Sequence, residues 1–192
     1  MLELVTDNDN IDNCNAIIVP IGKYIKKDRT PSLDKMAWYN IINKYPGIRR
    51  TVGELLLARR NLKGRLGNWS VVGKSLNSLY VKTKINNKAF YFIMCYNNMG
   101  HSYISFYYLN ESMELVIEDM RNNNIKNIGM YLFSGFGSVE EKDALFLLHR
   151  FSETNNDFNI KLYIEYLSEK HKNRIINYYE RVKIRRRRLI FI

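Results

Sequence analysis

The sequence predicts a three-layer α/β domain with a mixed central sheet, followed by a basic C-terminal helical extension. Two observations predict the domain. Short apolar or alternating segments, typical of strands, take turns along the chain with longer segments of helical periodicity. The apolar fraction of 46% is also sufficient for a sizeable core in a chain of 192 residues. The third observation is the uneven charge distribution, which separates the extension from the domain.

Seven segments have the composition of strands. The first alternates weakly, the second is an apolar run typical of a strand buried on both faces, and the last alternates clearly. The pair Asn86-Asn87 between two of these segments favours a tight turn. The predicted strands are residues 1–5, 15–20, 69–73, 79–85, 88–96, 127–133 and 159–166.

Five segments indicate helices, and the stretch 21–31 between the second strand and the first helix is predicted to be a long loop. Ser32 is a candidate N-cap, and Pro46-Gly47 is a stop signal for the helix that follows it. Thr51 with Glu54 fits a capping box, which predicts a helix that opens at Thr51. The predicted helices are residues 32–45, 51–61, 103–123, 139–152 and a basic helix from residue 168 onward.

Residues 127–141 carry the most informative local signal, which combines a buried strand, a glycine loop and the start of a helix. Gly135 and Gly137 lack a Cβ atom and therefore permit a sharp turn or the close approach of a ligand. Ser138 with Glu141 fits a second capping box. Backbone N–H groups at such a helix start bind phosphate, helped by the helix dipole. Simple turn geometry also explains two glycines here, so both interpretations stay open.

Several classes of protein are disfavoured by composition. No run of eighteen apolar residues is present, and the acidic, polar N-terminus does not resemble a signal peptide, which predicts a cytoplasmic protein with no membrane partner. Cys14 and Cys95 lack metal-ligand spacing and are expected to be reduced core thiols. No histidines share ligand spacing with a carboxylate or cysteine, so we predict no metal and no cofactor.

The positive charge is concentrated at the C-terminus. The net charge is +11, of which residues 168–192 contribute +7 and the preceding 167 residues only +4. The run Arg185, Arg186, Arg187 and Arg188 suits contact with nucleic-acid phosphates or an acidic protein patch, and a solvated run is the third interpretation. The apolar residues 189–192 that follow indicate docking, either back on the domain or on a partner subunit in a homo-oligomer.

Four segments, taken in order, add a resemblance to a known family. They are a strand with an acidic turn, an apolar strand, a Tyr-Pro-Gly helix end with its continuation, and the glycine loop with the strands around it. These segments are residues 4–9, 15–20, 43–47 with 62–64, and 128–137 with 160–163. Together they resemble the macro domain, most closely the branch of bacterial DarG-type and human terminal ADP-ribose glycohydrolases. The resemblance covers residues 1–167 and implies a macro-like domain there, with residues 168–192 as a basic helix and tail.

The resemblance implies a site for ADP-ribose or a related nucleotide. The glycine loop would donate N–H groups to the diphosphate, with Phe136 against the ribose. An acid after the first strand, Asp7 or Asp9, would accept from the adenine amino group, although a solvated turn aspartate is equally compatible with the sequence. The family's first loop is replaced by Pro20-Ile21-Gly22-Lys23 and a longer Lys-Asp-Arg segment, in which only Gly22 and Lys23 resemble it. The predicted ligand-binding residues are Asp7, Asp9, Ile21, Gly22, Lys23, Ser134, Gly135, Phe136, Gly137 and Ser138.

The family's glycohydrolase residues are not matched. The position of the lysine after the central strand falls at Tyr96-Asn97, and the position of the aspartate beyond the glycine loop falls at residues 138–141. Binding without hydrolysis, for instance to sequester a nucleotide signal or recognise an ADP-ribosylated target in a bacterial or phage setting, is therefore the leading hypothesis. The alternatives are an ADP-ribosyl hydrolase or ADP-ribose phosphate phosphatase, and a nucleic-acid or protein-binding module. The candidate acids and bases for catalysis are Glu140, Glu141 and Asp34.

Overall fold

The chain, as a computed structural model, is a six-stranded mixed sheet with helical segments on both faces. The structure describes residues 2–6, 11–22, 41–62, 80–96, 106–132, 141–164 and 167–189. The strands are β1 (Leu2–Val5), β2 (Ala16–Gly22), β3 (Tyr80–Ile85), β4 (Lys88–Tyr96), β5 (Asn127–Tyr131) and β6 (Asn159–Tyr163). The helices are α1 (Ile48–Leu62), α2 (Phe106–Asn122), α3 (Glu141–Thr154) and α4 (Glu169–Leu189). The predicted three-layer α/β architecture with a mixed sheet and a C-terminal helix is confirmed.

The order of strands in the sheet is β1-β6-β5-β2-β4-β3, and all neighbours are parallel except the pair β3 and β4. These two strands form a hairpin through Asn86 and Asn87, whose φ angles are 49° and 63°. Two successive left-handed residues are the requirement of a type I′ turn, and asparagine tolerates that conformation better than most residues. The predicted hairpin is therefore confirmed.

The two faces of the sheet belong to two separate cores, because successive strand residues point to opposite sides. On β2, Ile18 packs with α2, α3 and α4, whereas Ile17 and Val19 pack with residues 41–52 on the other face. Residues 16–21 of β2 are all buried, which confirms the prediction of a strand covered on both faces. None of the helices within the described ranges has the length and apolarity needed to cross a membrane.

The start predicted for α1 is wrong. The helix begins at Ile48, three residues before Thr51, and the Thr51 hydroxyl donates back to the Gly47 carbonyl oxygen at 3.4 Å. The Glu54 carboxylate accepts from the Arg50 side chain at 3.1 Å instead of closing a capping box. Gly47 explains the earlier start, since its φ of 89° reverses the chain directly after Tyr45.

Other boundaries differ by a few residues. β5 ends at Tyr131 and β6 at Tyr163, earlier than predicted. Leu132 and Ile164 are buried but are not paired in the ladder between β5 and β6. α3 extends to Thr154 rather than residue 152. The predicted strand 69–73 and residues 32–40 of the first predicted helix lie outside the described residues, and residues 41–44 are helical.

Candidate functional site

The topology of the sheet predicts a ligand-binding crevice at one edge. Five strands are parallel, so their carboxyl ends meet at the same edge of the sheet, here called the carboxyl edge, with the amino edge opposite. After β2 the chain continues to β3 and β4 on one side, whereas after β5 it continues to β6 on the other side. In open α/β sheets, ligands bind outside the carboxyl ends of two adjacent strands from which the chain continues in opposite directions.

The ladder between β2 and β5 ends earlier than the ladder between β2 and β4. Within the described residues the ladder between β2 and β5 runs from Ala16–Ile128 to Ile18–Met130. The ladder between β2 and β4 continues to Gly22, with a shift of register between Ile21 and Gly22. Among the described residues, the last four residues of β2 are therefore paired with β4 and not with β5. A bulge at this position is common beside binding sites, because it redirects the backbone.

Two tyrosines hold the carboxyl ends of β5 and β6 in place. Tyr131 and Tyr163 are each 1% exposed, and their ring centroids are 5.9 Å apart. The Tyr163 hydroxyl lies 3.6 Å from Sγ of Cys14, a buried thiol outside any disulfide, as predicted. A Cβ atom at Gly129 would lie 3.0 Å from the Tyr163 ring and 3.1 Å from the Cys14 sulfur. Gly129 thus provides the space that lets the Tyr163 ring lie against the sheet.

Helix α3 directs its N-terminus to the same edge. It follows β5 in the chain, and Leu145, Leu148 and Phe151 fix it in the core against the sheet. In a connection between two parallel strands the helix runs antiparallel to them, so it begins at the carboxyl edge. The positive end of the α3 dipole is therefore directed to this edge, where it favours a bound anion.

The predicted site residues fall into two groups. Gly22 ends β2 at the crevice, and the side chain of Ile21 is fully buried in the core, so only the backbone of Ile21 is available to a ligand. Glu141 is the first residue of α3, and the four arginines 185–188 lie in α4. The remaining candidates lie outside the described residues: Asp7, Asp9, Lys23, Asp34, Ser134, Gly135, Phe136, Gly137, Ser138 and Glu140.

A cluster of titratable side chains lies away from the crevice, between α2 and the β3–β4 hairpin. The Asp119 carboxylate accepts from the Lys82 ammonium at 2.6 Å and from the Tyr91 hydroxyl at 2.5 Å. Burial and the bond to Asp119 raise the pKa of Tyr91 strongly. Burial alone would raise the pKa of Asp119, but the hydrogen bonds from Lys82 and Tyr91 outweigh it and lower that pKa. Asp119 is thus ionised and Tyr91 protonated near neutral pH, which suits a structural clamp rather than proton transfer.

Sequence reasoning missed this clamp, although the pairing of Lys82 with Tyr91 could have been predicted. Lys82 and Tyr91 are directly opposite one another in the hairpin, so the predicted Asn86-Asn87 turn already implies their pairing. Asp119 comes from a helix 28 residues further along the chain, and no local pattern indicates that contact.

A cavity of about 420 Å³ lies at the opposite edge of the sheet from the crevice. Its lining comes from the first residues of β1, β5 and β6 and from the residues before β2, and it includes Glu3, Asn13, Asn127, Asn159 and Lys161. The Asn159 amide donates to the Asn127 side-chain oxygen at 3.1 Å, so part of this polar lining is satisfied internally. No sequence motif pointed to this cavity, and it lies away from the carboxyl ends where such sheets bind nucleotides.

No protein-family model matches the sequence, and no curated protein matches it. Solved structures do match. The macrodomain of Mycobacterium tuberculosis DarG has a TM-score of 0.61 at 10% identity, and that of Thermus aquaticus DarG has 0.58 at 8% identity. Each match covers 85% of this chain and 97% of the other. Thermosipho africanus DarTG in complex with ADP-ribose has a TM-score of 0.56 at 12% identity, over 84% of this chain and 41% of that chain.

The fold is a macrodomain. The macro domain predicted from the order of four loose motifs is confirmed at the level of the fold, and its resemblance to DarG macrodomains is confirmed with it. At 8–12% identity this likeness concerns the fold alone.

Proposed function

We propose that this macrodomain binds ADP-ribose, or a nucleotide that contains it, in the crevice between the carboxyl ends of β2 and β5. The observation that carries the proposal is the end of the ladder between these two strands at Ile18–Met130, at the edge of the sheet where α3 is expected to begin. Such a crevice accepts an elongated ligand, and the helix dipole favours its diphosphate. The glycine-rich segment 133–140 of the sequence connects β5 to α3, so it joins the two fixed elements that border the crevice.

The order of the strands supports a ligand with three parts. The elements β1, β6, β5 and β2 are consecutive neighbours, so β1 and β2 are about 14 Å apart at roughly 4.8 Å per strand. In the sequence the acids Asp7 and Asp9 follow β1, the glycine loop follows β5, and Gly22-Lys23 lies at the end of β2. Along the carboxyl edge, the acids would thus contact adenine, the glycine loop the diphosphate, and the loop after β2 the distal ribose.

The similarity to a structure determined with ADP-ribose bound supports the same ligand class. Binding alone is proposed, because neither position of the family's glycohydrolase pair carries the expected residue. A macrodomain that binds without turnover acts by sequestering a nucleotide or by recognising an ADP-ribosylated target.

The test is calorimetric titration of ADP-ribose into the wild type and Gly137→Glu, which places a bulky carboxylate in the phosphate loop. Asn156→Glu is the matched control, because it adds the same charge at an exposed position of the turn between α3 and β6. We expect micromolar or tighter binding by the wild type, a loss of at least tenfold in Gly137→Glu, and no change in Asn156→Glu.

Equal weakening in the two variants would show a general charge effect and would contradict the assignment of the loop. Absence of heat and of any thermal shift with the wild type would reject plain ADP-ribose. Analysis of the same samples for released products determines whether binding is accompanied by turnover.

A further inference from the structure

The C-terminal helix passes from one edge of the sheet to the other. It starts just after Leu167, whose N–H donates to the Ile164 carbonyl next to the carboxyl end of β6. Ten residues later the Tyr179 hydroxyl donates at 2.5 Å to the carbonyl oxygen of Leu2, the first residue of β1. The side chains of Ile175 and Tyr179 are buried in the core and fix this part of the helix against the sheet. At Tyr179 the helix has therefore reached the amino edge, opposite the nucleotide crevice.

The helix does not end there. It continues to Leu189, ten residues beyond Tyr179, which is about 15 Å at 1.5 Å per residue. We call residues 180–189 the projecting half and residues 169–179 the anchored half. The anchored half mixes the two signs of charge and contains an ion pair between Lys172 and Glu169 at 2.9 Å. In the projecting half six of the eight residues 181–188 are Lys or Arg, and none of these eight is acidic.

Repulsion between these positive charges destabilises the projecting half of the helix. Pairs such as Arg181 with Arg185 and Lys183 with Arg187 are spaced i, i+4, where like charges destabilise a helix. A polyanion removes that repulsion, so binding and helix stability are coupled in the projecting half. The anchored half supplies the rigid base from which these charges extend.

We propose that the projecting half of α4 is a nucleic-acid binding surface at the amino edge, separate from the nucleotide crevice. The charge densities support this partner. Six positive charges occupy about 12 Å of helix, and duplex DNA presents one phosphate per about 1.7 Å of its axis, or about seven over that length. A nucleic acid therefore supplies a counter-charge at nearly the same linear density.

The spacing of the charged positions also favours nucleic acid over a lipid surface. A helix that lies on a membrane keeps its apolar residues on one face and its charges on the other. At 100° per residue, the six basic positions of 181–188 are distributed around the whole helix axis, and Val182 and Ile184 lie on different sides of it. This half of the helix therefore has no apolar face distinct from a charged face.

The experiment measures binding of a fluorescent 20-base-pair DNA duplex of mixed sequence by anisotropy, at several salt concentrations from 50 to 200 mM. The test variant replaces Arg185, Arg186, Arg187 and Arg188 by Gln. The control variant replaces four exposed basic residues elsewhere, Lys44, Lys84, Lys170 and Arg174, by Gln, so both variants lose four positive charges. Circular dichroism and thermal unfolding establish that each variant is folded.

We expect log Kd of the wild type to depend on log salt with a slope of up to about 5, since each phosphate contact contributes about 0.9. The test variant should lower that slope by about 3 to 4 and weaken binding at least tenfold at 50 mM salt, whereas the control variant changes Kd less than threefold. Saturating ADP-ribose should leave Kd unchanged within twofold, because the two sites lie at opposite edges.

Three results would overturn the proposal. Equal losses in both variants would mean that the net charge of the protein, and not the projecting half, attracts DNA. Binding to vesicles with 30% phosphatidylserine but not to DNA would assign the surface to lipid. No binding of single- or double-stranded DNA or RNA by the wild type at 50 mM salt would exclude a nucleic acid. Because the measurement needs no nucleotide ligand, its outcome is independent of the proposed ADP-ribose site.

Discussion

The replacement of Gly129 by alanine should destabilise the fold, although a strand glycine is ordinarily a weak point. In a strand with space for a Cβ atom, the change would stabilise the folded protein by about 0.4–1 kcal/mol, because alanine restricts the conformations of the unfolded chain. Here the added Cβ would lie 3.0 Å from the Tyr163 ring and 3.1 Å from the Cys14 sulfur, about 0.3–0.4 Å inside ordinary contact at 3.4 Å. Both neighbours are buried, so neither has open space to move into. Overpacking of this kind costs about 1–3 kcal/mol.

The net expectation is therefore a loss of about 1–2 kcal/mol in the free energy of unfolding, measured by urea denaturation with circular dichroism at an unchanged m-value. The double variant Gly129→Ala, Cys14→Ala tests the geometry directly. Removal of the sulfur relieves one of the two close contacts, so the double variant should lose less than the sum of the single variants by about 0.5–1 kcal/mol.

Gly47→Ala is the matched control. Gly47 has a φ of 89° and open space around its Cβ direction, so alanine there costs about 1 kcal/mol through backbone conformation alone. Its combination with Cys14→Ala should be additive within about 0.5 kcal/mol. Two results would refute the packing of Tyr163 over Gly129. One is a Gly129→Ala variant that is more stable than the wild type, and the other is a Gly129→Ala, Cys14→Ala double variant whose loss of stability equals the sum of the single losses, as expected for the Gly47 control.

Two further predictions concern the β3–β4 hairpin and its clamp. Asp119→Asn should lower the free energy of unfolding by about 1 kcal/mol at pH 7, because a partly exposed carboxylate that accepts two hydrogen bonds is lost. The folded pKa of Asp119 is lowered, so its contribution is present above the unfolded pKa of about 3.9 and disappears as the pH falls through the folded value. The stabilities of wild type and variant in urea unfolding should thus converge as the pH falls below about 4, and a difference that does not shrink on acidification would contradict the ion pair. Asn87→Gly should be neutral or stabilising and Asn87→Ala destabilising by about 1 kcal/mol, since φ is 63° there, and equal stabilities in thermal unfolding would contradict the type I′ turn.

Features with a local cause were predictable from the sequence. The turn at Asn86-Asn87 follows from the tolerance of asparagine for positive φ, and the doubly covered strand β2 follows from an unbroken apolar run. Helix α4 follows from its composition and continues through all four arginines. The macrodomain fold was predictable only from the order of several weak motifs, because each motif alone also fits an ordinary turn or strand.

Within the described residues, the sequence by itself determined which segments form strands and helices, because backbone preference and hydrophobic periodicity act over a few residues. Only the tertiary structure decided what these segments contact. The point at which β2 and β5 cease to pair depends on which strands are neighbours. The space over Gly129 depends on a tyrosine 34 positions away, and the arrival of α4 at the amino edge depends on the bond from Tyr179 to Leu2. Such contacts join residues far apart in the chain, so no local pattern encodes them.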